Sequence, residues 1–294
     1  MFNKNLIKCA VVIPCYKVSD EILKVVKSIG PEVDKIYVID DACPENSGKL
    51  VKENIIDERV VVLRNLKNSG VGSSTKKGFI EAFKDKNIDV CIKIDGDGQM
   101  DSKNIKKFLE PFTKSHNLYV KGNRFHAHKK ILKMPVIRIF GNFFLSLISK
   151  ITTGQYSVFD INNGFIALHR KIYKDVNFKN ISDDYFFETS MVAEMRNIGC
   201  EILDLEIETE YNNEQSNLII KKVLFKFILK HSLIFFKRIY FEYIKNKNYL
   251  VLLIIFGILS SLVLSIYSSK ILIVFIILIF IFFIKDKNFK KIER

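Results

Sequence analysis

What the chain lacks narrows it first. Its 294 residues include only five cysteines, Cys9, Cys15, Cys43, Cys91 and Cys200, with no CxxC pair and no Cys/His cluster. That excludes the usual zinc spacings and a disulfide framework, and reads as a reduced, cytosolic body. No secretory leader is expected, because MFNKNLIKCA has no apolar h-region and runs straight into a strand. There is no GxxxxGK[ST] loop. The Gly-rich stretch at 68–75 holds a GxG, but Thr75 stands where a third glycine belongs, and it follows the third strand-like segment rather than the first. A P-loop and a nicotinamide Rossmann site are set aside on that ground. A Gly-rich helix start at the edge of a nucleotide remains.

Acidic residues are scarce in the last quarter. From Asn217 onward there are 14 basic and 3 acidic residues, so +11 of the net +14 lies there and +3 on the first 216 residues. A nucleic-acid binder carries such an excess on its folded body. Nucleic acid is therefore not an expected partner, and a membrane surface is. Apolar residues at 48% against 27% charged are ample for a folded core.

Residues 249–267 form a run of 19 without a charge, and 271–284 a second run of 14, separated by Ser268, Ser269 and Lys270. At about 1.5 Å per residue the first run matches a bilayer core and the second needs help from its flanks. The expectation is a two-helix transmembrane hairpin at 248–285, with a basic tail at 286–294. A buried soluble hairpin is the alternative. Lys245 and Lys247 before it, and Lys285, Lys287, Lys290, Lys291 and Arg294 after it, place both termini and the folded body on the cytoplasmic side of a multi-pass inner-membrane protein. Residues 217–247 read as a basic amphipathic helix, with Lys222, Lys226, Lys230 and Lys237 on one face. A helix packed on the body is its alternative. The tail leaves homo-oligomerisation open.

Residues 1–216 alternate two periods. CAVVIP, KIYVID, RVVVL and DVCIKID read as buried parallel strands, and 20–29, 45–55, 72–84 and 102–113 as helices between them. The fold class is α/β, a mostly parallel open sheet with right-handed crossovers. Ligands of such sheets bind beyond the carboxyl ends of the strands. Three polar clusters stand there: Pro14-Cys15-Tyr16, Asp40-Asp41 and Asp95-Gly96-Asp97-Gly98-Gln99. Two carboxylates two residues apart at a strand end point the same way, and glycines between them let the chain turn tightly. Without thiols or ligand-spaced histidines, that pair suits a hard divalent ion, Mg²⁺ or Mn²⁺, which keeps substrate phosphate oxygens as ligands. An Asp/Gly-rich turn is the plain alternative.

VVIPCYKVSD, YVIDDACPENSG, NSGVGSSTKKGF and IKIDGDGQMD resemble the inverting glycosyltransferases of family two, with the GT-A nucleotide-sugar fold. KGNRF, PVIRIFGN, DINNGFIALHR and YFFETSMV resemble the branch of dolichyl-phosphate mannose synthase and bacterial polyprenyl-phosphate glycosyltransferases. The resemblance covers residues 8–218. It implies that Pro14, Tyr16 and Asp41 hold the nucleotide's base and ribose, with Asp40 supporting that loop. Asp95, Asp97 and Gln99 would organise the metal on the diphosphate. Arg124 and Arg138 would meet the acceptor's phosphate, joined by Asn142 one helical turn on. Asp160, Gly164 and Phe165 would line the donor sugar. The implied activity moves a sugar from a nucleotide sugar, a UDP-sugar by default over a GDP-sugar, to a polyprenyl phosphate. A surface ion pair is the alternative for each arginine. The branch places basic residues near TEYNNEQSNL, where this chain has Asn212 and Asn213. A saccharide hydroxyl is the competing acceptor, with Asp184, or Glu188 one turn on, as the base such an acceptor needs. A solvated helix start is the alternative for the Asp183-Asp184 pair.

Overall fold

The computed structural model describes residues 7–116, 118–124, 136–207, 220–245, 249–264 and 269–287. The chain divides into two compact units, one of Met1–Leu147 with Ser157–Ile219, the other of Ile148–Tyr156 with Ile220–Arg294.

Among the described residues the first unit holds a seven-stranded sheet. In chain order its strands are β1 (Cys9–Cys15), β2 (Lys35–Asp40), β3 (Val60–Arg64), β4 (Val90–Lys93), β5 (Leu118–Asn123), β6 (Ile166–His169) and β7 (Glu201–Glu206). They lie side by side as β3-β2-β1-β4-β6-β5-β7. β6 alone is antiparallel to its neighbours, β4 and β5; every other pairing is parallel. Every residue of β1 is buried, because helices cover both faces of the sheet and leave no polar alternation to read. On one face lie α1 (Ile22–Ser28), α2 (Ser47–Asn54) and α4 (Ile105–Leu109), around Val11, Ile13, Ile92, Phe108 and Phe165. On the other lie α3 (Val71–Lys84) and α7 (Phe187–Asn197), around Val12, Cys91, Phe79, Phe187 and Met191. The 102–113 segment, expected as one helix, is α4 between two 3₁₀ turns. Pro111 has no N–H to give an α-helical ladder, so it sits in the second of those turns.

Helix α5 spans Val136–Thr153, and α6 (Arg170–Tyr173) is a single turn after β6. The second unit adds α8 (Ile220–Ile239), a π-helical turn (Tyr240–Ile244), α9 (Tyr249–Leu264) and α10 (Ser269–Lys287). Asp286, fully buried, accepts from Arg238 Nη1 at 2.5 Å, from Tyr156 Oη at 2.5 Å and from Tyr243 Oη. Arg238 also donates to the carbonyls of Ile151 (2.8 Å) and Thr152 (3.1 Å), two of the acceptors left over at the end of α5.

The helices α9 and α10 correct the expected transmembrane hairpin and the multi-pass inner-membrane placement. No described helix is long and apolar enough to cross a membrane. With 16 residues α9 reaches about 24 Å at 1.5 Å per residue, short of a core of about 30 Å. With 19 residues α10 is longer, but Lys270, Lys285, Asp286 and Lys287 leave only its middle apolar. Residues 265–267 of the uncharged run, and Ser268 after them, lie outside the described residues. Residues 208–219, with Asn212 and Asn213, and the tail from 288 onward lie outside the described residues.

Candidate active site

Strands β2, β1 and β4 are adjacent and parallel, so the three polar clusters emerge at one end of the sheet. Pro14 is buried within β1, and Tyr16 beyond it is 40% exposed, its ring 5.7 Å from the Lys17 ammonium. Asp40 accepts from the amides of Cys43 (2.7 Å) and Gly48 (3.1 Å), and so closes the turn into α2. Asp41 accepts from Asn65 Nδ2 (2.7 Å) and Ser69 N (2.9 Å) on one oxygen and from Gly70 N (2.8 Å) on the other. Buried and three times hydrogen-bonded, this carboxylate organises the Gly-rich segment.

That segment packs against the 182–184 turn. Gly70 has φ +95°, and a Cβ there would lie 2.4 Å from the Asp183 carbonyl oxygen; at Gly72 it would lie 2.3 Å from that of Ser182. Ser73 N donates to the Asp183 carbonyl at 2.9 Å, and Lys76 pairs with the Asp183 carboxylate at 2.6 Å. The glycines let α3 start directly against the 182–184 turn. Asp184 in turn accepts from Phe186 N (3.1 Å) on the way into α7.

After β4 the chain turns at Gly98 (φ +75°), and Gln99 N donates to Asp97 Oδ1 at 3.0 Å. Asp95 Oδ1 is 2.7 Å from the Nζ of Lys93, which also lies 3.2 Å from Glu188 Oε1 on α7. Asp95 Oδ2 faces Gly164, where an added Cβ would come within 2.7 Å of it and 2.4 Å of Lys93 Nζ. Gly164 is thus bare beside the carboxylate. Among the described residues no group of three or more His, Cys, Asp or Glu could hold an ion alone. Asp95 and Asp97 provide hard oxygen donors on a tight, partly open turn. This set fits a hard divalent cation that completes its shell from a substrate's phosphates.

Across the sheet Lys93 and Lys121 both register with Ile166, so they share one face two strands apart, about 10 Å. Both are fully buried. Burial works against the charge of Lys93, but Asp95 and Glu188 outweigh it and raise its pKa above the ordinary value. Lys121 is pushed down to about 8 by burial, against the pull of Glu188 and Asp160 and with the push of Lys93 and Arg124. Its ammonium donates to the Asn163 carbonyl. Arg124 forks onto Asp160 through Nε (2.7 Å) and Nη2 (3.0 Å). Burial raises the pKa of Asp204, which accepts from Asn123 Nδ2 at 2.5 Å and Phe159 N at 3.0 Å.

The structure thus gathers Asp95, Asp97, Gln99, Gly164, Asp160 and Arg124 around the end of β4 and the loop before β6. Phe165 is a correction: it is buried on the opposite face, its ring stacked on Phe108 at 4.2 Å, and cannot line a sugar. Arg138 and Asn142 lie on α5, and their side chains fall outside the described ones. Lys93 and Lys121 were missed. A lysine inside an otherwise apolar buried strand, as in CIKID and YVKGN, is the signal that could have found them.

The sequence model of glycosyl transferase family 2 matches residues 10–176, more than half of the chain. The chain belongs to glycosyl transferase family 2. A UDP-N-acetylglucosamine–dolichyl-phosphate N-acetylglucosaminyltransferase of Methanococcus voltae is 28% identical over 177 residues, covering 55% of this chain and 70% of that protein. A dolichol-phosphate mannosyltransferase of Pyrococcus furiosus is 26% identical over 186 residues, 59% of this chain and 49% of the relative. Glucosyl-3-phosphoglycerate synthase from Mycobacterium tuberculosis, solved with Mn²⁺, UDP and its product, superposes with a TM-score of 0.57 over 78% of this chain and 81% of that one. At 13% identity that likeness is one of fold, an α/β GT-A architecture with a mostly parallel sheet.

Proposed function

We propose that this glycosyltransferase moves a sugar, with inversion, from a UDP-sugar to a polyprenyl phosphate, assisted by Mg²⁺ or Mn²⁺. The observation that carries the metal-assisted part is the turn after β4, where Asp95 and Asp97 share a strand end and Asp95 Oδ2 lies beside Gly164. The acceptor assignment draws support from the two archaeal relatives, whose names specify dolichyl or dolichol phosphate. Asp95 and Asp97, with Gln99, would hold the cation, which when bound neutralises charge on the departing diphosphate. Pro14 and Tyr16 would border the nucleoside, with Asp41 holding the adjacent loop. Asp160, fixed by Arg124, and Gly164 would border the sugar. A lipid phosphate is anionic near neutral pH, so it needs orienting rather than a base. Arg138, with Asn142 on the next turn of α5, is the phosphate-orienting candidate, and Arg124 acts with Asp160.

The saccharide-hydroxyl alternative finds no particular observation in its favour. Glu188 is engaged with buried Lys93, and Asp184 with the turn into α7. The test incubates the full chain with labelled nucleotide sugars and polyprenyl phosphate and follows label into the lipid extract. Asp97→Ala should lower transfer by about 10²-fold or more, and Asp184→Asn should leave it within a few-fold. Full activity in Asp97→Ala refutes the metal assignment, and loss of turnover in a folded Asp184→Asn restores the hydroxyl acceptor.

A further inference from the structure

The buried ammonium behind the strand-end turn has no part in the function proposed above. Lys93 is the last residue of β4, 1% exposed, and its Nζ joins two carboxylates from distant parts of the chain. One is Asp95 Oδ1 at 2.7 Å, the other Glu188 Oε1 at 3.2 Å. Burying the Lys93 ammonium and the Glu188 carboxylate is unfavourable unless the two are paired, whereas Asp95 keeps 29% of its side chain exposed. A core ion pair needs only one carboxylate. Here the ammonium takes a single oxygen of Asp95 and leaves the other beside Gly164, whose missing Cβ would occupy the space next to both groups. Lys93 therefore fixes which way the Asp95 carboxylate faces.

We propose that Lys93 is a positioning residue for Asp95: its ammonium holds Oδ1, which sets the orientation of the carboxylate and leaves Oδ2 to a divalent cation, with Glu188 as the buried counter-ion of Lys93. This rests on the metal-assisted reading above. Groups that orient a metal-binding carboxylate from behind contribute about 10–100-fold to metal affinity.

The experiment is a Mn²⁺ titration of the full chain in the presence of UDP, followed by electron paramagnetic resonance of the free ion. It compares wild type, Lys93→Met and Glu188→Gln, with thermal melts of each. Both variants break the Lys93–Glu188 pair, but only Lys93→Met releases Asp95. The expected result is at least a tenfold weaker Mn²⁺ affinity in Lys93→Met and a change below threefold in Glu188→Gln. Equal weakening in the two variants reduces Lys93 to a core ion pair and overturns the proposal. Unchanged or tighter binding in Lys93→Met, as simple repulsion between ammonium and cation would give, also overturns it. Should Lys93→Met fail to fold, Lys93→Gln keeps an N–H donor without the charge, and at least a threefold loss is expected; unchanged affinity overturns the proposal. Wild type that binds no Mn²⁺ with UDP defeats the metal-assisted reading and this inference together. Wild-type binding with an unaffected Lys93 variant defeats the inference alone.

Discussion

Asp41→Asn separates two roles for one carboxylate. The family resemblance puts Asp41 on the nucleotide, whereas the structure fills both of its oxygens with protein donors, Asn65 Nδ2, Ser69 N and Gly70 N at 2.7–2.9 Å. Asparagine has nearly the same shape but turns one oxygen into an NH₂ group. In the less damaging orientation that group meets the half-buried Gly70 amide, which then loses its acceptor at a cost of about 1–3 kcal/mol. The other two bonds lose their charge assistance, about 0.5 kcal/mol each. The total is about 3 kcal/mol, a large share of the stability of one domain. Urea unfolding followed by circular dichroism reads it as a lower midpoint at unchanged m. Hydrogen exchange should speed up at Ser69 and Gly70, and UDP affinity should fall less than tenfold, through loosening of the 68–73 segment. Stability within about 0.5 kcal/mol of wild type, together with lost UDP binding, refutes the reasoning and returns Asp41 to the nucleotide.

Gly72→Ala places a methyl 2.3 Å from the Ser182 carbonyl oxygen and should destabilise by about 2 kcal/mol in a thermal melt. In an uncrowded helix the same change would stabilise, so a gain in melting temperature removes the tight α3 contact from the account. Lys121 predicts a pH dependence. Its pKa falls from 10.5 to about 8 on burial, so between pH 8 and 10.5 the unfolded chain holds a proton that the folded chain has released. Stability relative to Lys121→Met should therefore rise with pH across that window, by about 3 kcal/mol in all. A flat or falling difference between the two chemical-denaturation series would show that Lys121 stays fully charged.

The first half of the fold was legible because fully buried parallel strands are written as unbroken apolar runs, and β1 to β4 appear within a few residues of CAVVIP, KIYVID, RVVVL and DVCIKID. The strand-end clusters followed, since parallel strands that are neighbours must release their carboxyl ends together. The insertion of antiparallel β6 between β4 and β5 was not legible. It depends on β6 returning across the sheet from a loop that carries Asp160 and Gly164, with no local signal of direction in IALH. Phe165 shows the same limit. Strand alternation turns it to one face or the other by a single residue of register, and the register put it on Phe108.

By itself the sequence determined the α/β class, the end of the sheet where the three polar clusters meet and the paired acids after β4, because burial on both faces and the spacing of two residues are local facts. It overextended the tail: two runs without charges read as a membrane hairpin, whereas no described helix is long and apolar enough to cross a membrane. Tertiary structure alone decided who holds whom. Asp41 grips the glycine turn, Gly70 and Gly72 rest on Asp183 and Ser182, Arg124 locks Asp160, and Lys93 ties Asp95 to Glu188. Each of these joins side chains or backbone that lie far apart along the chain. In a buried site a charge must find its partner wherever the fold brings one close, and sequence spacing carries no record of that choice.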